Sequence, residues 1–144
     1  MAREARVEKE GLAPQAAASV TSQEAALLAA QAGLDKKAEN VRVLDVRELA
    51  TYTDFLVLMS AGSDRHVSAV ADAVDEVLRK HGYRPIGVEG LGSGNWILID
   101  AGDVIVHVFH EEARSFYDLD GLWADAKRVK LPEPAPRPAA VPFA

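Results

Sequence analysis

Phe55-Leu56-Val57-Leu58-Met59 is an unbroken apolar run between Asp54 and the breaker Ala61-Gly62-Ser63-Asp64. The run is too short for a typical helix, and it has no polar face to turn toward water. It reads as a β-strand buried on both faces. The breaker leads straight into the clearest helix of the chain. Val67, Val70, Ala71, Val74, Val77, Leu78 and His81 recur at spacings of three and four, and Arg65, Ser68, Asp72, Asp75, Glu76, Arg79 and Lys80 fill the other side. Ser63 is placed to cap this helix, Asp64 to sit at its positive end, and Gly82 to stop it. Buried strand, capped helix and a further strand make a βαβ-like unit.

The flanking segments extend this unit into a sheet. Ser22-Gln23-Glu24 is a helix start, and the stretch to Leu34 is rich in Ala and Leu, with Gly33 weakening its end. Val41 to Val46 alternates like a strand. Ile86 to Glu89 is a short strand, and Gly90 to Gly94 reads as a flexible loop. Trp96–Asp100 and Val104–Phe109 are two strands whose Ala101-Gly102 link predicts an antiparallel hairpin with Gly102 in the left-handed region. A last amphipathic segment from about Asp120 to Val129 places Leu122, Trp123 and Ala126 on one side. The expected architecture is a mixed sheet of about five strands flanked by helices, in the α/β to α+β range. Residues 1–21 mix charges with Ala, Pro and Gln, and residues 131–144 hold five prolines. Both ends are expected to be disordered, the second with polyproline II character, leaving one domain over residues 22–130.

Composition removes several function classes. The 144 residues include no cysteine, which excludes a disulfide framework, thiolate metal sites and a thiol nucleophile. A net charge of −6 argues against a general nucleic-acid binder, and no sequence-specific nucleic-acid contact is expected. No apolar run approaches the ~20 residues that span a bilayer, and no signal-peptide core stands at the N-terminus. A cytoplasmic protein is expected.

Asp100, Asp103, His107 and His110 are the residue types that bind zinc or iron. Strand alternation sends His107 and His110 to opposite faces, and the aspartates flank a turn, where they are expected to stay solvated. His107 shares a face with Ile105 and Phe109 and reads as a half-buried structural histidine. No metal and no cofactor are expected. Gly62-Ser63 is similar to the Gly-Ser signature of nucleotidyltransferases, but the acids that follow, Asp72 and Asp75, belong to a helix surface. Neither GxxxxGK[ST] nor GxGxxG is present. The charge distribution is more informative. Residues 85–126 hold eight acids and a single base, Arg114, whereas residues 35–84 hold nine acids and eight bases. Trp96, Phe109, Phe116, Tyr117 and Trp123 lie among those acids. That mixture suits a docking surface for a basic protein, with Phe109 and Phe116 read as core.

Several of these segments together resemble one family. They are Asp54-Phe55, Ser60 to Arg65, Glu89-Gly90, Gly94-Asn95-Trp96, Asp100-Ala101-Gly102-Asp103, Val106 to Phe109, Arg114 to Leu119 and Leu122-Trp123-Ala124-Asp125. The combined pattern resembles the ribosomal silencing factors, also called RsfS or Iojap, over about residues 22–130. Asp120 stands where the family more often has Glu, and Ala101 where it often has Tyr. The resemblance implies a nucleotidyltransferase-like fold without the active site and no enzymatic activity. It implies binding to the large ribosomal subunit through ribosomal protein fourteen, a steric block to subunit joining under nutrient limitation, and a possible homodimer. Trp96, Asp100, Asp103, Tyr117 and Trp123 are the candidate contacts, with Arg114 orienting the acidic segment. The alternative is a divergent nucleotidyltransferase or metal-dependent phosphohydrolase built on Asp100, Asp103 and His107.

Overall fold

The computed structural model describes residues 20–91 and 95–131. The expected disorder of the two ends falls mostly on residues outside this range. The described helices are α1 (Ser22–Asp35), α2 (Asp64–Lys80), α3 (Glu111–Tyr117) and α4 (Leu119–Leu122). The strands are β1 (Glu39–Asp45), β2 (Phe55–Ala61), β3 (Gly87–Leu91), β4 (Trp96–Asp100), β5 (Val104–His110) and β6 (Lys127–Val129). They form one mixed sheet in the order β3-β4-β5-β2-β1-β6. Only the central pair, β2 with β5, is parallel, and Val57 stands opposite Val106.

Every residue of β2 is buried, as the apolar run requires. Alternation divides its side chains between two cores. Phe55, Val57 and Met59 join Val104, Val106 and Val108 beneath α1 and α2. Leu56 and Leu58 join Leu44, Val46, Phe109 and Ala113 on the other face, with Trp96, Leu119 and Trp123 packed at the margin. The long helices therefore cover the centre of the first face, leaving Val88 of β3 exposed, while short helices cover part of the second.

Local chemistry explains the helix ends. Ser63 Oγ accepts the His66 amide at 3.1 Å, as its position predicted. Gly82, at φ 87°, follows the last turn of α2, and its amide donates to the Arg79 carbonyl at 3.1 Å. The cap of α1 is Thr21 rather than Ser22. This places Glu24 three residues on, where its carboxylate accepts the Thr21 amide while Thr21 Oγ1 accepts the Glu24 amide. Gly33 lies inside α1 against the Met59 sulfur, where a β-carbon has no room. Val20 and Leu131 also pack against the first core.

Three expectations change. Gly90 and Leu91 belong to β3 rather than to a loop, and residues 92–94 lie outside the described range. The βαβ-like unit is split, because β4 and β5 stand between β2 and β3 in the sheet. The segment Asp120–Val129 is not one amphipathic piece. Asp118 adopts φ 49°, its side chain accepts the Gly121 amide, and α4 lasts one turn. The chain then extends so that Val129 pairs with Val43, and β6 adds a sixth strand to the β1 edge.

Candidate partner-binding site

Strand alternation places Trp96, Leu98 and Asp100 on the second face of β4, opposite Phe109, His107 and Ile105 of β5. Trp96 is the centre of an aromatic group. Its ring lies 4.9 Å from Phe109, 4.7 Å from Tyr117 and 5.7 Å from His107. The His107 and Phe109 rings stack at 5.8 Å. The indole N–H of Trp96 donates to His107 Nδ1 at 2.9 Å, which leaves the neutral ring protonated on Nε2. Burial holds the His107 pKa down to about 4. His107 is thus the structural histidine its pattern suggested. His110, on the other parity, caps α3 by accepting the Glu112 amide at 3.3 Å.

Tyr117 reaches this group from α3 and keeps 45% of its surface exposed. Its neighbour Phe116 meets it edge-on at 5.0 Å and is 80% exposed. Phe116 was expected in the core. The seven-residue α3 buries Ala113 and Arg114, and Phe116 falls on the outward side of that short turn. Leu122 of α4 is also exposed, at 72%. Phe116 and Tyr117 make an exposed aromatic pair on α3, and Leu122 is a further exposed apolar side chain on α4, with the exposed acids Glu111, Glu112 and Asp118 beside them in the chain.

Arg114 holds this surface in place. Its guanidinium donates through Nε and Nη2 to both oxygens of Asp120, at 2.9 and 3.0 Å. Nη1 donates to the Asn40 carbonyl at 2.7 Å and to Ser60 Oγ at 2.9 Å. One buried side chain thereby ties α3 and α4 to β1 and β2. Arg42 adds a second cation to Asp120 at 3.0 Å. The hydrogen bonds from Arg114 hold the Asp120 carboxyl below the usual carboxylate range. Asn40 presents its carbonyl from a left-handed conformation, φ 51°, beside an irregularity in β1. The sequence singled out Arg114 and placed Ser60 and Asp120 within the family pattern, but nothing in it pairs them with Arg114, and Asn40 carried no signal.

The remaining candidates do not join this group. Asp100 shares a face with Trp96 but lies four residues along β4, about 13 Å away at strand spacing. Its carboxylate was expected to be solvated; it is half-buried and accepts the Gly102 amide at 2.9 Å. Gly102 takes φ 84°, as the hairpin required. Asp103 is exposed, and its carbonyl accepts the amides of Asp54 and Phe55 at 3.0 and 3.1 Å. Trp123 is half-buried against the second core and acts as a cover for it. Among the described residues no cluster of three His, Cys, Asp or Glu is arranged for a metal. No described helix is long and apolar enough to cross a membrane.

Residues 19–142 match the family described as "Ribosomal silencing factor during starvation". A ribosomal silencing factor from Halalkalibacterium halodurans is 38% identical over 112 residues, covering 78% of this chain and 96% of that protein. The chloroplastic protein Iojap of Zea mays is 31% identical over 103 residues, covering 72% of this chain and 45% of the maize protein. A crystal structure of a Chromobacterium violaceum protein is similar with a TM-score of 0.70 at 34% identity, covering 87% of this chain and 100% of that one.

Proposed function

Because the chain belongs to the ribosomal silencing factor family, we propose that it binds the large ribosomal subunit and keeps the small subunit from joining. In this reading the partner is ribosomal protein fourteen, on the face that meets the small subunit. The action is steric, with no bond made or broken, and it lowers translation when nutrients are short.

The observation that carries this reading is the exposed Phe116 and Tyr117 pair amid acids, on a helix held by the Arg114 clamp. Aromatic anchors on a rigid support are where binding energy concentrates, and flanking carboxylates steer a basic partner. The enzyme reading needs Asp100, Asp103 and His107 as ligands or bases, and among the described residues no three such side chains are grouped for a metal. His107 Nδ1 already accepts from Trp96, and Asp100 already accepts from Gly102.

The test is co-sedimentation with purified subunits, paired with light scattering of subunit joining. The protein is expected to pellet with large subunits, not small ones, and to slow joining in proportion to occupancy. Binding is expected to weaken with salt, since exposed charges are screened within about 10 Å at 0.1 M. Absence from the large-subunit pellet at low salt sinks the reading.

A further inference from the structure

Lys127, Arg128 and Lys130 fall within four positions at the β6 edge of the sheet, and all three are exposed. The arginines elsewhere on the sheet and its helices that form ion pairs do so within the fold: Arg42 and Arg114 with Asp120, Arg47 with Asp45, Arg79 with Asp75. Arg128 and Lys130 form no ion pair among the described residues. Arg128 stands opposite Leu44 of the second core, so alternation sends its side chain out on the face that carries α3 and α4. Lys127 stands opposite Asp45 and leaves by the other face. Arg42, Arg128 and Lys130 line a groove of about 410 Å³ whose other lining residues are aliphatic.

We propose that this groove receives the phosphate backbone of ribosomal RNA, beside the surface that docks on protein. The proposal rests on the large-subunit reading. Arg128 in β6 and Lys130 just past its end are two residues apart, at most about 7 Å along the chain, a spacing that suits neighbouring phosphates on one strand. Arg42 is anchored by Asp120 and adds a fixed cation to the same groove. What the groove offers a nucleic acid is its cations, because Val43 and Val129 of its lining turn toward the first core, so the contact is with phosphates and is electrostatic. It also fits the charge of the whole chain. A net charge of −6 keeps the protein off free RNA, and the local cations act once docking on protein brings RNA within reach.

The full-length protein carrying Arg128→Gln with Lys130→Gln is compared with Lys127→Gln and wild type in binding to purified large subunits over a salt series. Each phosphate contact contributes roughly 0.7 to the slope of log K against log salt. The double variant is expected to lose about 1.4 of that slope and to bind roughly tenfold more weakly at low salt, while Lys127→Gln follows wild type. Hydroxyl-radical footprinting of the bound subunit is expected to show a stretch of RNA backbone protected by wild type and open with the double variant. Identical slopes for wild type and the double variant overturn the proposal and leave these cations as guards of the sheet edge. A slope change without lost RNA protection also overturns it, and assigns the groove to an acidic protein. A slope loss by Lys127→Gln of half that of the double variant or more attributes the effect to net charge and overturns it too. Failure of wild type to bind subunits at all removes the large-subunit reading and this proposal together.

Discussion

His107 and Arg114 are buried polar side chains on which the second face depends. His107 is held neutral, with a pKa of about 4. An unfolded histidine titrates near 6.5. Between those values the unfolded chain takes up a proton that the folded chain refuses. Stability is therefore full above about pH 6.5 and falls as pH drops toward 4, by on the order of 3 kcal/mol. His107→Gln retains an acceptor for the Trp96 indole without that titration. Urea unfolding measured from pH 7 to 4 is expected to show a steep ramp for wild type and a flattened one for the variant. An unchanged ramp would assign the effect to another group. Asp120 acts in a lower window: its depressed pKa contributes stability above the usual carboxylate range that is lost in stronger acid. Arg114→Met leaves Asp120 with Arg42 alone and removes the donor from Ser60 and Asn40. Breaking one side of a buried pair costs about 3 kcal/mol, whereas removing both sides costs less than the sum. Denaturant midpoints for Arg114→Met, Asp120→Leu and the double variant test this, and strict additivity would deny the coupling.

At the scale of elements, the caps and the hairpin behave as local devices. Ser63→Ala is expected to lower stability by about 1 kcal/mol and leave subunit binding intact. A variant as stable as wild type that fails to bind would make Ser63 a contact instead. In the β4–β5 hairpin, Asp100→Ala removes the acceptor of the Gly102 amide and is expected to cost about 1 kcal/mol, while Asp100→Asn keeps the oxygen and costs less than about 0.5 kcal/mol. Equal unfolding midpoints for the two variants would show that the turn does not use this side chain. These features were legible because their signals are local: Ser63 stands next to the helix it caps, Gly102 within its turn, and five apolar residues in β2 suffice for burial on both faces. Elements defined by distant partners were not. Lys127-Arg128-Val129 has no strand pattern of its own and becomes β6 because β1 offers an edge to pair with. The seven residues of α3 are too few to show which side faces inward, so Phe116, expected in the core, is exposed, and Tyr117 lies half exposed beside Trp96. The same limit divided the candidate site. Trp96 and Tyr117 meet through a contact that spans β4 and α3, and Asp100 and Asp103 belong to the far end of the hairpin.

The whole molecule is asymmetric across its sheet, and that asymmetry directs where a partner has to sit. The first face is covered by α1 and α2 over a continuous core from β1 to β5, leaving Val88 of the β3 edge exposed. The second face is covered only in part, by α3, α4 and Trp123, and it is where aromatic surface meets water. Phe116 is the sharpest probe of this surface, because at 80% exposure it contributes little to the fold. Phe116→Ala is expected to leave the melting temperature nearly unchanged, within the roughly 0.5 kcal/mol typical of surface sites. If Phe116 fills a pocket on the ribosomal partner, its loss removes an anchor of about 2 kcal/mol, or roughly thirtyfold in Kd. That loss belongs mainly to faster dissociation, since a desolvated anchor acts after encounter. Glu111→Gln with Glu112→Gln tests the other half of the surface. These acids are exposed and are expected to act by steering, so their removal slows association and flattens its salt dependence while dissociation changes little. Kinetics of subunit binding for the two variants therefore separate an anchor from its rim. Slower association for Phe116→Ala with unchanged dissociation would exchange the two roles. Wild-type kinetics for both variants would place the partner elsewhere on the second face, with Trp96 and the exposed part of Tyr117 the next residues to change.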